Sequence, residues 1–312
     1  MKTLFFRLGS MAACLIASLA FPEMPRARTD GQTGWAVERT EPNDDITAPV
    51  AALPAAPEGL PDGGIATHAG GDIQMAWYTA PTRRYGHGIL GDDIEAGALS
   101  VQTSNGSTKI LTLPETEVFE DRTPRLVDLD GDGKVEVVTI RSSLSLGAAV
   151  TVYGLSEAGE LLEKATTRFI GRSNRWLNIA AIADFAGNGR KQIAYVETPH
   201  IGGTLYLFDY SDGRLTKLSS AYGFSNHAIG SREMDLALTI DMDGSDRPSL
   251  VVPSASRKSL KVVTYGTQGW RTEAEIGLPR PVQSALGTSG TGQEAKLYFR
   301  LSDGAPYVLS RK

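Results

Sequence analysis

The stretch LVDLDGDGKVEVV, residues 126–138, decides the fold. Two short aliphatic and β-branched runs flank a turn in which Asp128, Asp130 and Asp132 alternate with Leu129, Gly131 and Gly133. Val and Leu suit extended chain here, while Gly and Asp tolerate the left-handed backbone of a tight turn. The stretch therefore reads as strand, turn, strand, and it recurs. IADFAGNGRKQIAYV (182–196) and TIDMDGSDRPSLVV (239–252) keep the order, with anchoring aspartates at 128, 184 and 241, spaced by 56 and 57 residues. Two weaker copies flank these: ILGDDIEAGALSV (89–101), anchored at Asp92, and ALGTSGTGQEAKLYF (285–299), anchored at Gly287.

Working outward, each copy is followed by two further β-type runs, such as AAVTVYG (148–154) and TLYLFDY (204–210). Four strands per about 50 residues is the size of a propeller blade, a unit that buries its faces only against neighbours. Five anchors over residues 72–312 leave about 48 residues for each. The expected fold is all-β, a β-propeller of five four-stranded blades, and no segment carries the caps and period of a long helix. The last copy has strand material only in AKLYF (295–299) and APYVLSR (305–311), so it lacks an outer strand. DIQMAWYTA (72–80) is expected to pair there and close the ring.

Ahead of the repeats, residues 1–20 read as a secretory signal peptide. Lys2 and Arg7 give the positive end, Leu8 to Phe21 the apolar run, and Ser18-Leu19-Ala20 the small-residue cleavage site. The run is shorter than the roughly 20 residues a membrane span needs, so no stable span is expected after cleavage. Cys14, the only cysteine, would leave with the signal. A mature chain without disulfides fits an exported bacterial protein, periplasmic or secreted, whose core is large enough to need no covalent staple. Residues 21–71 hold seven of the sixteen prolines and no amphipathic period, and read as a flexible linker. With 31 Lys and Arg against 36 Asp and Glu, a net charge of −5 and no basic run, the chain offers no field for nucleic acid.

The run from Asp128 to Glu136 carries the pattern D-x-D-x-D-G-x-x-[DE] in full. In this it resembles the FG-GAP/VCBS repeat family, the propeller repeats of integrin alpha subunits and of many exported bacterial proteins. The resemblance spans residues 72–312 and is strongest in the three central copies, although the family's Phe-Gly and Gly-Ala-Pro elements are not cleanly present. It implies a propeller and leaves activity open. Calcium takes six to eight hard oxygen ligands, and this turn offers the carboxylates of Asp128, Asp130 and Asp132, the Lys134 carbonyl and Glu136. Thr139 stands where an EF-hand would need its closing acid, and strands flank the loop. Ala186 and Ser249 remove ligands from the later copies, so one good site and at most one poor one are expected.

On the face opposite these turns, the segments entering the first strands and joining the second to the third carry unusual residues. They are Tyr85 and His87; Asp121, Arg122 and Arg125; Asn174, Arg175 and Trp176; His200; and Asn226, His227, Arg232 and Glu233. Arginine forks read carboxylates or phosphates, and aromatic rings stack on sugars. Tyr85, His87, Arg122, Arg175, Trp176, His200, His227 and Arg232 are therefore the expected ligand-binding set. The leading reading is a calcium-stabilised binding or scaffold module for a carbohydrate or an envelope protein. The alternative is a lyase or hydrolase acting on an anionic polysaccharide, with His87 and His227 as acid and base and Arg175 stabilising charge. No HExxH, P-loop, G-x-S-x-G or cysteine nucleophile supports it.

Overall fold

A computed structural model of the chain describes residues 34–41, 56, 58–241 and 247–312. The expected signal peptide, most of the expected linker, and Asp243 and Ser245 of the third turn lie outside the described residues. The fold is all-β, with 21 strands among the described residues. The first, β1 (Trp35–Arg39), is considered last. The first sheet is β2 (Ala66–Thr67), β3 (Ile73–Thr82), β4 (Glu95–Thr103) and β5 (Thr108–Thr112), each strand antiparallel to the next. A short β6 (Glu117–Phe119) bridges β4 to the second sheet, β7 (Arg125–Val127), β8 (Glu136–Ser143), β9 (Gly147–Leu155) and β10 (Leu161–Thr166). The third is β11 (Leu177–Ala183), β12 (Gln192–Glu197), β13 (Thr204–Ser211) and β14 (Arg214–Tyr222). The fourth is β15 (Leu238–Ile240), β16 (Ser249–Pro253), β17 (Ser259–Gly266) and β18 (Gly269–Gly277). The fifth is β19 (Gly287–Ser289), β20 (Lys296–Arg300) and β21 (Pro306–Arg311), completed by β1. This is the arrangement of five four-stranded propeller blades.

Burial follows strand position. Every residue of β8 is buried, and all but the last of β9, whereas β14 shows hardly any burial and β5 alternates between exposed and half-buried. Strands covered on both faces read as continuous apolar runs; outer strands can keep a wet face. Four hydrophobic clusters fill the gaps between successive sheets. Ile73, Tyr78 and Leu99 meet Val137 and Tyr153 between the first and second, and Ile140 and Val150 meet Ile193 and Tyr195 between the second and third. Val196 and Leu205 meet Leu250 and Val263 between the third and fourth, and Val251 and Val262 meet Leu297 and Phe299 between the fourth and fifth. Among the described residues no such cluster joins the fifth sheet to the first.

Three expectations change. The strand that completes the fifth sheet is β1, in register from Trp35 opposite Arg311 to Arg39 opposite Tyr307, and not residues 72–80. Those residues form β3, where Ile73, Ala76 and Tyr78 are buried and β2 and β4 pair on either side. The expected linker therefore contains two strands and the buried Leu60. The first-sheet counterpart of the Asp128 turn is residues 68–72, not Asp92, which joins β3 to β4 at the opposite end. Asp72 accepts the Val135 amide at 2.8 Å, tying that turn to the next one. Gly287 lies within β19, and its turn follows it.

Trp35 is 4 % exposed, and the Arg311 guanidinium lies 5.5 Å from its ring centre. Trp35→Ala is expected to lower the unfolding free energy by about 3 kcal/mol, the usual cost of emptying a large buried site. Urea denaturation of parent and variant measures it, and equal midpoints would show that β1 does not hold the fifth sheet.

Candidate functional site

Opposite the Asp/Gly turns, connections from four sheets converge and bond to one another. Gly230 N donates to Ile89 O at 2.9 Å, Arg122 Nη1 to Arg232 O at 2.5 Å, and Trp176 Nε1 to Glu120 O at 3.0 Å. Among them opens a cavity of about 190 Å³ lined by His87, Ile89, Asn174, Arg175, Trp176, Thr198, His200, Ile201 and Ile229. Two of these residues, Asn174 (φ 54°) and Thr198 (φ 51°), have left-handed backbone. Asn tolerates it; a β-branched Thr is strained there, and such strain gathers at ligand sites. The turn holds Thr198 in place, its amide donating to Trp176 O at 2.9 Å and its carbonyl accepting from Ile201 N at 3.0 Å.

Two imidazole systems border the cavity. His87 Nδ1 lies 2.5 Å from Oε1 of the fully buried Glu120, whose Oε2 accepts Ser142 Oγ at 2.5 Å. Burial raises the Glu120 carboxyl, opposed by the hydrogen bond and charge of His87 and by Ser142. Glu95, also buried, is pushed up to about 10 by burial and then by Glu120, Asp92 and Asp62. In the second system His200 Nε2 lies 3.0 Å from His227 Nδ1, and His227 Nε2 lies 2.9 Å from Ser231 O. The Trp176 ring runs parallel to His200 at 6.2 Å and edge-on to His227 at 4.7 Å. Burial lowers His200 to about 3, with His227, Arg257 and His87 adding repulsion. Burial likewise lowers His227 to about 4, against the Ser231 hydrogen bond.

Of the expected binding set, His87, Arg175, Trp176 and His200 share this cavity. Trp176 is only 2 % exposed, and Tyr85 is buried with its hydroxyl accepting Asn174 N at 3.0 Å, so neither ring offers a free stacking face. His227 lies behind His200, fully buried. Arg122 and Arg232 do not line the cavity; they hold the connections together. Arg122 Nη2 donates to Asp62 O at 2.7 Å, and Arg232 pairs with Asp62 at 3.0 Å and Asp92 at 2.8 Å. Arg125 pairs with the buried Asp121, which also accepts the Tyr78 hydroxyl at 2.7 Å. Asn226 Nδ2 bonds Asn178 O at 3.2 Å, and Glu233 accepts the Asp235 amide at 3.0 Å. The reading of the sequence missed Glu95, Glu120, Thr198, Ile201 and Ile229. Glu120 had a signal, two adjacent acids directly after the apolar pair Val118-Phe119.

At the other end, oxygens of Asp128, Asp130 and Glu136 lie within 4.8 Å of one another. Gly131 (φ 82°) and Gly133 (φ 83°) supply the left-handed backbone that curls the turn, and both their amides donate to Asp128. Glu136 accepts Leu129 N at 2.9 Å, yet burial and then the three aspartates push it up to about 7. A carboxylate held so unfavourably beside others fits a hard dication, whose charge would remove the repulsion. Asp132 stands outside the trio, its Oδ1 accepting Lys134 N at 2.8 Å. The third-sheet copy satisfies itself: Gln192 Nε2 donates to Asn188 Oδ1, Arg190 O and Asp209 Oδ1. There an amide's hydrogens sit among the oxygens.

Both His200 and His227 lie below the usual 6.5, so the folded chain binds fewer protons than the unfolded one between that value and about 4. Their contribution to stability is complete above pH 6.5 and is lost as pH falls toward the folded values. His200→Phe is expected to lose less melting temperature than the parent between about pH 7 and about pH 5. Equal losses would show that His200 is not held neutral.

No protein-family model matches the sequence. No curated protein matches it either. Among solved structures the chain is similar to Saccharomyces cerevisiae Sqt1, at 12% identity and a TM-score of 0.42 over 79% of this chain and 61% of that one. It is similar to BBS1N, solved in complex with ARL6DN, at 14% identity and a TM-score of 0.41 over 76% and 65%. It is similar to the exotype rhamnogalacturonan lyase YesX, at 14% identity and a TM-score of 0.41 over 82% and 57%. The chain spans less than two thirds of the length of each. At this distance the likenesses carry nothing about activity, and the fold rests on the strand pairing above.

Proposed function

We propose that this chain is an exported β-propeller binding module whose ligand enters the cavity between His87, Arg175 and His200. The observation that carries the reading is that cavity itself: side chains from four separate connections line it, with a strained Thr198 at its wall. Its contacts favour an envelope protein over a carbohydrate. Sugars stack on open aromatic faces, and here the rings are buried, while Ile201 and Ile229 are 61 % and 71 % exposed at the cavity. Calcium, on this reading, binds Asp128, Asp130 and Glu136 and stiffens the turn at the far end, as the resemblance to FG-GAP/VCBS repeats implies; it takes no part in chemistry.

Two experiments test this. Crosslinking of purified chain to an envelope extract, using a photoreactive residue in place of Ile229, is expected to trap a defined protein, and Arg175→Ala to reduce the yield several-fold. A yield unchanged by Arg175→Ala and unaffected by moving the crosslinker to Ile110 on β5 would reject the cavity as the site. For the metal, calcium is expected to raise the melting temperature of the parent and not that of Asp130→Asn or Glu136→Gln. An equal rise in all three would place any calcium elsewhere.

A second reading is favoured by the Glu120–His87 pair, which has the form of an acid/base dyad facing the same cavity. Polygalacturonate and alginate, followed by the ultraviolet absorbance of unsaturated products, test it. A lyase gives a signal that Glu120→Gln abolishes; a binding module gives none.

A further inference from the structure

We infer that the cavity receives a peptide segment, recognised through one amide group and a neighbouring aliphatic side chain. This rests on the reading of the cavity as a binding site and names what it binds. The hydrogen-bond chain behind the cavity begins at a group that can only accept, the carbonyl of Ser231. His227 Nε2, 2.9 Å from it, therefore carries a hydrogen, and in the neutral ring Nδ1 is a lone pair. His200 Nε2, 3.0 Å from that lone pair, must be the donor of the next bond. The hydrogen of neutral His200 is thus on Nε2, and its Nδ1, in a ring that lines the cavity, is an acceptor. Burial keeps both rings neutral at ordinary pH, and the neighbouring Arg257 acts in the same direction on each.

Arg175 imposes the complementary demand. Its guanidinium only donates, Nη1 is bound to Asn174 O at 2.9 Å, and no carboxylate pairs with it among the described residues. The two residues line one cavity, so a ligand that answers both needs a donor and an acceptor. An amide supplies them, N–H toward His200 Nδ1 and C=O toward Arg175. A carboxylate suits Arg175 but sets lone pair against lone pair at His200, and an ammonium suits His200 but meets a cation at Arg175. A sugar hydroxyl could serve both, yet it would leave Ile201 and Ile229 against water-seeking surface. A peptide with an aliphatic side chain covers them.

The full chain, labelled with nitrogen-15 at histidine, tests this by imidazole nitrogen resonances. At neutral pH His200 is expected to show a protonated Nε2 and a bare Nδ1. Isovaleramide, isovalerate and glucose serve as probes. Isovaleramide is expected to shift His200 Nδ1 and to bind about tenfold more tightly than either of the others, the factor that about 1.4 kcal/mol makes. His200→Phe, which keeps a ring beside Trp176, should erase that preference, and Arg175→Ala, at a partly exposed position, should weaken isovaleramide by a similar factor. A protonated Nδ1, or isovalerate or glucose shifting the cavity resonances at equal or lower concentration, overturns the peptide assignment and leaves the cavity a site for another ligand. If no probe moves any cavity resonance, the cavity fails as a binding site and the inference falls with it.

Discussion

Apolar surface on both faces of the second, third and fourth sheets is the constraint from which the rest of this structure follows. A sheet whose middle strands are buried on either side has no stable existence alone, because each face left wet exposes a row of Val, Ile and Leu. The four clusters between successive sheets answer that demand by stacking each sheet on the next. Stacking in turn fixes what the connections can do. With each of the first four sheets running first to fourth strand in chain order, its first turn falls at one end and its second turn and outgoing connection at the other. One end is thus a set of short, repeated Asp/Gly turns, and the other a set of longer, dissimilar loops. Chemical variety collects at the second end for a geometric reason.

The fifth sheet faces a different difficulty, an unpaired edge. β21 presents backbone donors and acceptors that solvent could serve only at the risk of association with other chains. β1 takes them up over five residue pairs and brings Trp35 and Val37 into the cluster shared with the fourth sheet. A strand from the start of the chain on the last sheet ties the two ends of the array together covalently, through the chain between them. Removing one large side chain from β1 therefore acts on pairing and on core packing at once.

Much of the fold was legible because turn chemistry is local. Asp128 and Asp184 advertise a reversal through side chains that bond the next few amides, and their spacing, with that of Asp241, counts the sheets. What escaped was assembly across distance. WAVER carries two charges in five residues amid prolines and looks like linker; only the empty edge of β21, far along the chain, makes it a strand. The first sheet's turn lacks the aspartate pattern, so Asp92, an acid in a glycine setting, stood in for it. The candidate site was half visible. His87, Arg175, Trp176 and His200 stood out by type, but type does not tell a ring on the wall from one beneath it. Trp176 and Tyr85 are buried by the packing of connections from other sheets, which no local window of sequence contains. Nothing about the residue type of Ile201 and Ile229 marks them, yet they are among the most exposed apolar side chains described.

The buried polar groups beneath the loop face share one physical logic. Connections from four sheets cannot meet without burying backbone and charged groups, and each such group must be bonded or neutral. Arg122 and Arg232 meet the requirement with Asp62 and Asp92, leaving no charge free for a ligand. The carboxyls of Glu95 and Glu120 meet it by resisting ionisation, and His200 and His227 by resisting protonation. A group that resists protonation in a buried chain has a fixed donor and a fixed acceptor side, because the neighbour behind it chooses the tautomer. The cost of burying imidazoles thus becomes a defined hydrogen-bonding face at the cavity wall. Arg175 lies at the partly exposed edge and has no carboxylate partner among the described residues. Neutral acceptor inside and cation outside is therefore the polarity that packing alone imposes on this cavity.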